Sequence, residues 1–97
     1  MKVTNINGTT DNTCECGTWL EHWKRYNPAR QSVPQYCPEK SCTNKAEVGA
    51  HVQKEGSLDR SWYIIPLCSR HNSMKGTTIE VSDFTSLASA NVSQTCG

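Results

Sequence analysis

The stretch "PLCSRHNSMKG", residues 66–76, closes an apolar run and places Cys68 three positions before His71. Side chains three apart on a helix lie on the same face, so a helix that begins here would aim both residues in one direction. Cysteine and histidine at this interval occur as metal ligands, as redox residues and as ordinary core residues. The choice among the three depends on what the rest of the chain supplies.

A second pair lies upstream in "CPEKSC", residues 37–42, where a tight turn would bring the two cysteines together. Zinc sites of the Cys3His type are built from such pairs, because each pair brings two donor atoms onto one ion. The alternatives are four residues that only pack, or disulfides, which histidine cannot join and a reducing compartment disfavours. The sequence therefore predicts a zinc site composed of Cys37, Cys42, Cys68 and His71.

The size of the chain makes such a site useful for folding. Its 97 residues predict one domain, residues 1–97, in which hydrophobic residues are only 35% of the total. A chain this short buries only about 60–65% of the surface that its unfolded form exposes, so its core is marginal. Metal ions or disulfides commonly stabilise domains of this kind.

Two features of the sequence bear on its compartment. No run approaches the roughly 20 apolar residues that a membrane-spanning helix needs, so no membrane partner is expected. The N-terminal residues "MKVTNINGTTDNT" lack the apolar centre of a signal peptide. A cytoplasmic location is the expectation, and thiols there stay reduced and available for metal.

Charge is concentrated in the middle of the sequence, although the net charge is only +1. Residues 22–75 carry nine Lys and Arg against four Asp and Glu, a balance of +5. A basic centre is compatible with a surface that faces the phosphates of DNA or RNA, and equally with a mixed solvated surface. Arg70 and Lys75 are the candidate phosphate contacts, with exposed helix charges as the alternative.

The N-terminal third predicts one helix. The first 13 residues are polar and predict a flexible arm or at most an edge strand. Trp19, Trp23 and Tyr26 recur at helical spacing, which predicts a short helix that Pro28 stops.

The central segment predicts a hairpin followed by a helix. Residues 45–52, "KAEVGAHV", alternate as in a strand, and residues 62–67, "WYIIPL", are aromatic and β-branched, with Pro66 ending the second strand. The helix is predicted to begin near Cys68 and to run to about Lys75, with Gly76 as its stop.

The C-terminal part predicts a strand and a second helix. Residues 77–81, "TTIEV", favour a short strand, and residues 82–90, "SDFTSLASA", favour a helix with Ser82 as its N-cap. Phe84, Leu87 and Ala88 would supply its buried face. The resulting fold class is α+β: a small zinc-stabilised treble clef (zinc knuckle, β-hairpin, helix) with an N-terminal helix and a C-terminal strand and helix around it.

The segment 37–76 resembles the HNH endonuclease family and its ββα-metal core. The resemblance rests on the cysteine pair and on three short motifs: "GAHV", which supplies His51, "PLC", which supplies Cys68, and "RHNSMKG", which supplies His71, Asn72 and Lys75. It departs from the family at Ala50, where an Asp is usual, and at Tyr63, where an Asn is usual.

The resemblance implies a role for two further residues. His51 corresponds to the general base that activates a water, and Asn72 to a ligand of a catalytic Mg²⁺ or Mn²⁺ ion. The alternative for His51 is a structural histidine at a strand end. The expected function is a zinc-binding, HNH-like protein associated with nucleic acid, with an active metal-dependent endonuclease and a non-catalytic protein-interaction module as alternatives.

The remaining cysteines form a second candidate metal set. Its members are Cys14, Cys16, His22 and Cys96. A disulfide between Cys16 and Cys96, or plain buried thiols, is the competing interpretation. The sequence gives no indication of oligomeric state.

Overall fold

A five-stranded antiparallel sheet organises the protein, whose computed structural model describes residues 1–6, 18–56 and 58–90. The strands are β1 (Lys2–Asn5), β2 (Val48–Lys54), β3 (Tyr63–Leu67), β4 (Thr78–Glu80) and β5 (Ala88–Ser89), and the helices are α1 (Trp19–Tyr26) and α2 (Ser69–Asn72). The order across the sheet is β4-β1-β2-β3-β5. The fold is therefore α+β, with an antiparallel sheet and two short helices.

The β2–β3 hairpin gives the sheet its two faces. Ala50 pairs with Ile65, and His51 pairs with Ile64. Because successive side chains of a strand point to opposite faces, these two pairs lie on opposite sides of the sheet. Ala50 and Ile65 share a buried cluster with Cys37 and Cys68, and we call this side the cysteine face.

The opposite side of the sheet, which we call the helix face, is covered by α1. Ile64 packs there against Trp23, which is fully buried, and against Ala88. The Nε1–H of Trp23 donates to the carbonyl of Ser86 at 2.9 Å. Gly49 of β2 allows the close approach, because a Cβ at this position would lie 2.5 Å from the backbone carbon of Trp19.

The predicted N-terminal helix is confirmed. The side chain of Thr18 caps α1 by accepting from the backbone N–H of Glu21, and Lys24 and Arg25 occupy the last turn, where cations interact favourably with the helix dipole. No helix in the described ranges 1–6, 18–56 and 58–90 is long and apolar enough to cross a bilayer.

The N-terminal residues are neither an arm nor an edge strand as far as Asn5. Strand β1 lies inside the sheet, between β4 and β2. Val3 is fully buried on the cysteine face and pairs with Lys54 on one side and Ile79 on the other. A four-residue strand with one apolar side chain has almost no sequence signal, because its neighbours and not its own pattern fix it.

Pro66 lies within β3 instead of ending it. Strand β5 pairs with β3 only at Tyr63 and Ile64, so the described part of the sheet has no outer neighbour at residue 66. Proline is tolerated at the edge of a sheet because no adjacent strand needs its missing N–H.

Helix α2 is shorter than predicted. It starts after Cys68, as expected, but ends at Asn72, and Ser73 follows as its C-cap. The next residues form turns, and Gly76 has a φ of +73°. The backbone N–H of Gly76 donates to the carbonyl of Asn5 at 2.6 Å, so the chain turns back to β1 instead of continuing the helix.

The predicted helix at residues 82–90 is wrong, because other segments take its backbone hydrogen bonds. Gln31 accepts from the backbone N–H of Ser86 and donates to the carbonyl of Phe84, and Ala88 pairs with Ile64 in the sheet. Ser82 caps a single turn through its bond to the N–H of Phe84, whose side chain is 86% exposed. Serine and threonine also compete for backbone hydrogen bonds, which weakens a helix in this segment.

Candidate metal centre

The first ligand pair lies in a turn that we call the knuckle, residues 37–44. The N–H of Cys37 donates to the carbonyl of Asn44 at 2.7 Å, and the N–H of Cys42 donates to the carbonyl of Glu39 at 3.0 Å. These two bonds close the turn at its base and at its tip. A bridge between Glu39 and Val81 joins the knuckle to the end of β4.

The second ligand pair lies where β3 leads into α2. Cys68 is the N-cap of the helix, and its Sγ accepts from the backbone N–H of His71 at 3.4 Å. The cap therefore fixes the direction in which the cysteine and the histidine point. Cys68 is buried, and His71 is partly buried.

The two pairs meet on the cysteine face. One ligand atom from each of the four residues can be chosen so that all lie within 4.8 Å of one another, which confirms the predicted grouping of Cys37, Cys42, Cys68 and His71. The sulfurs of Cys42 and Cys68 are 3.9 Å apart. The Nδ1 of His71 lies 3.2 Å from the sulfur of Cys68 and 3.5 Å from that of Cys37.

These separations fit a tetrahedral zinc ion. Bond lengths of about 2.3 Å to sulfur and 2.0–2.1 Å to nitrogen place tetrahedral ligand atoms about 3.8 Å apart for two sulfurs and about 3.5 Å apart for sulfur and nitrogen. The donor set of three sulfurs and one imidazole is one that zinc commonly accepts. The four side chains are therefore placed so that one metal ion could bind them.

The protonation of the cysteines is uneven. Burial raises the pKa of the Cys37 thiol from 9.0 to about 12. Burial also raises the pKa of Cys68, but bonds from the backbone and ring of His71 and from the other two thiols outweigh it and lower the pKa to about 7. Because the thiolate is the metal ligand, Cys68 is better prepared than Cys37 to receive a cation at neutral pH.

Asn5 positions α2, a role that was not predicted from the sequence. Its side-chain Nδ2 donates to the carbonyl of His71 at 2.9 Å and to that of Asn72 at 2.8 Å. The Asn5 side chain is fully buried, and its two hydrogen bonds, which are partly buried, connect β1 to the C-terminal end of α2. The one available signal was a polar residue two positions after Val3, on the face that the strand period assigns to the core.

His51 lies on the helix face, away from the four ligands. Its ring packs edge-on against Trp19 at a centroid distance of 4.5 Å, and Trp62 lies at 6.1 Å on another side. Burial, with a smaller contribution from the charge of His22, lowers the pKa of His51 from 6.5 to about 4. The histidine is therefore neutral at pH 7 and largely enclosed by aromatic rings.

The sheet separates His51 from Asn72. Asn72 belongs to α2, which Asn5 and Cys68 fasten to the cysteine face, whereas His51 faces α1. At the two positions where the sequence departs from the family, the side chains make other contacts. Ala50 is buried beside the cysteines, and the hydroxyl of Tyr63 donates to the carboxylate of Asp59 at 2.5 Å. The two residues to which the HNH resemblance assigns catalysis are thus not brought together.

The two candidate phosphate contacts are exposed. Arg70 lies on α2 and Lys75 in the turn that follows it. Arg70 also lines a polar groove beside the metal ligands, together with Glu39, Asn44 and Met74.

Of the second candidate metal set, only His22 lies within the described residues. It is fully buried on the helix face, and its Nε2 lies 2.7 Å from the carbonyl oxygen of Ser89. Cys14, Cys16 and Cys96 lie outside the described residues.

Comparison of the chain with protein-family models, with curated proteins and with solved structures finds no match. The site is therefore interpreted from its own geometry.

We expect Asn5→Ala to lower the free energy of unfolding by about 1–3 kcal/mol, because the carbonyls of His71 and Asn72 lose a donor that lies on a fully buried side chain. Asn5→Asp should cost more, since a carboxylate oxygen would then face those carbonyls. Gln53→Ala is the control, because its amide donates to a single carbonyl at the exposed surface. Urea unfolding measures all three, and equal losses for Asn5→Ala and Gln53→Ala would contradict the role given to Asn5.

The lowered pKa of His51 predicts a dependence of stability on pH. The unfolded chain takes up a proton near pH 6.5 and the folded chain only near pH 4, so stability falls as the pH is lowered through this window. His51→Gln should remove that part of the loss. The measurement is urea unfolding from pH 7 to pH 4 with zinc in excess, and parallel curves for the two proteins would contradict the assignment.

Proposed function

We propose that Cys37, Cys42, Cys68 and His71 bind one zinc ion, and that the ion holds the knuckle, the β2–β3 hairpin and α2 together as a treble clef. The observation that carries this proposal is the approach of four ligand atoms to within 4.8 Å of one another. They come from two segments that are far apart in the sequence, the knuckle and the junction of β3 with α2. The metal would therefore contribute directly to the stability of the fold, since the site does not exist in the unfolded chain.

The chemistry of the donors favours zinc among the metals. Three sulfurs and one imidazole suit zinc, whereas magnesium and calcium prefer oxygen ligands. Four protein ligands would complete a tetrahedral shell and leave no position for water or substrate, which is the arrangement of a structural site. All three cysteines of the set have free thiols, which fits a reducing compartment such as the cytoplasm.

Cys42→Ser tests the zinc proposal. A site with three remaining ligands loses most of its affinity, so the variant should fail to retain zinc and should unfold at much lower urea than the parent protein. Thr43→Ala, at an exposed position next to it, is the control and should keep its zinc. Elemental analysis and circular dichroism measure both properties. A protein that stays folded after strong chelation has removed all metal would refute the proposal.

We further infer that the zinc-organised part of the chain contacts nucleic acid. Four exposed basic side chains lie on the two ligand-bearing segments or directly beside them: Lys40, Lys45, Arg70 and Lys75. Cations held in fixed positions can neutralise the phosphates of a nucleic acid backbone, and binding is favoured because counterions are released. A protein-interaction module is the alternative. In that case the four basic side chains would be ordinary solvated surface charges.

The location of His51 favours a non-catalytic role over a nuclease. A general base has to reach the water that it activates, and the water has to lie beside the metal-bound phosphate. His51 is enclosed on the helix face, and Asn72, the candidate ligand for Mg²⁺ or Mn²⁺, belongs to the opposite side of the sheet. We therefore propose the HNH-like arrangement as a scaffold for binding.

Salt titration of binding tests the nucleic-acid proposal. The double variant Arg70→Ala/Lys75→Ala should weaken binding to duplex DNA or single-stranded RNA and reduce the slope of log K against log salt by about 2. The matched control is Lys24→Ala/Arg25→Ala, which removes the same charge from α1 on the other side of the sheet. Equal effects of the two variants, or no binding at low salt, would favour the interaction module.

A further inference from the structure

Glu39, in the middle of the knuckle, contacts one of the ligands. Its Oε2 lies 3.3 Å from the Nε2 of His71, and the two side chains are 15% and 12% exposed. The same imidazole directs its other nitrogen, Nδ1, at the sulfurs of Cys37 and Cys68. The ring is thus placed between the ligand cluster and a carboxylate.

Glu39 is itself held in place by the turn. The backbone N–H and the hydroxyl of Ser41 both donate to its Oε1 at 2.7 Å. Glu39 also accepts the knuckle's closing bond through its own carbonyl, from the N–H of Cys42. The carboxylate therefore has a fixed position in the turn that carries two of the ligands.

We propose that Glu39 is a positioning residue for the metal site, accepting a hydrogen bond from the Nε2–H of His71. The inference rests on the zinc site proposed above. A neutral imidazole carries its proton on one nitrogen only, so a bond that keeps it on Nε2 leaves the Nδ1 lone pair for the metal. The carboxylate also fixes the orientation of the ring, as outer partners of metal-bound histidines commonly do.

The proposal assigns the ligand atom as well as the residue. His71 binds through Nδ1, because that nitrogen lies 3.2 Å from the sulfur of Cys68 while Nε2 faces the carboxylate. Glu39 therefore accepts a hydrogen bond from a neutral ring and does not form an ion pair with a charged one. An ion pair would need a ring protonated on both nitrogens, and such a ring cannot bind a metal.

The experiment compares zinc affinity in the parent protein and in Glu39→Ala, Glu39→Gln and Ser41→Ala. Competition with a chromophoric chelator should show a loss of about 10- to 100-fold for Glu39→Ala. Glu39→Gln, which still offers an acceptor, and Ser41→Ala, which removes one anchor, should lose less. Glu47→Gln is the matched control, because the Glu47 carboxylate also contacts the α2 region by accepting from the hydroxyl of Ser69. The zinc affinity of this variant should equal that of the parent protein.

A second measurement reports on the ring itself. Long-range ¹⁵N–¹H NMR spectra of the zinc-loaded parent should show the proton of His71 on Nε2 and slow exchange of that proton with solvent. In Glu39→Ala the exchange should become faster. Cobalt substitution checks that each variant keeps a tetrahedral site, and if Glu39→Ala does not fold, the comparison rests on Glu39→Gln and Ser41→Ala.

The outcomes separate this inference from the zinc proposal. A parent protein that binds no zinc refutes both. If the parent binds zinc, and the Glu39 variants match it in affinity and proton exchange, the role of Glu39 is refuted and the zinc site stands. Binding of His71 through Nε2 would also overturn the inference.

Discussion

The meeting of two ligand pairs on one face of the sheet is the constraint on which the rest of the structure depends. Cys42 and Cys68 are 26 residues apart in the chain, yet their sulfurs are separated by 3.9 Å. The β2–β3 hairpin makes this possible, because it carries the chain away from the knuckle and returns it to the start of α2. Apolar side chains of the hairpin pack against Cys37 and Cys68. The capping geometry of Cys68 directs His71 towards the other three candidate ligands.

The sheet also divides the protein into two chemically different sides. The cysteine face carries the ligands, Asn5 and α2, whereas the helix face carries α1, the tryptophans and two buried histidines. His51 and His71 both belong to segment 37–76, but their side chains lie in different environments. A pKa of about 4 keeps His51 neutral among aromatic rings, while His71 stands between thiols and a carboxylate. This division favours one compact binding centre over a reactive site that spans the sheet.

Spacing made the grouping of the four candidate metal ligands and the main elements predictable from the sequence. The interval between Cys68 and His71, the turn of the knuckle, the helical period of Trp19, Trp23 and Tyr26, and the β-branched run of β3 each have a local physical cause. Residues fixed by distant neighbours were not predictable. Strand β1 exists because β4 and β2 pair with it, and residues 82–90 form a turn, a loop and the short strand β5 because Gln31 bonds to the backbone of Phe84 and Ser86 while Ala88 pairs with Ile64. Asn5 and Glu39 both contact His71, and these contacts could not be predicted from the spacing of residues in the sequence.

The zinc K-edge X-ray absorption spectrum of the purified protein shows directly whether these four residues hold a zinc ion. We expect a four-coordinate shell of three sulfurs at about 2.3 Å and one nitrogen at about 2.0–2.1 Å. We also expect the outer-shell scattering that an imidazole ligand produces. A shell of four sulfurs, a shell dominated by oxygen, or a protein that carries no zinc would contradict the proposed zinc site.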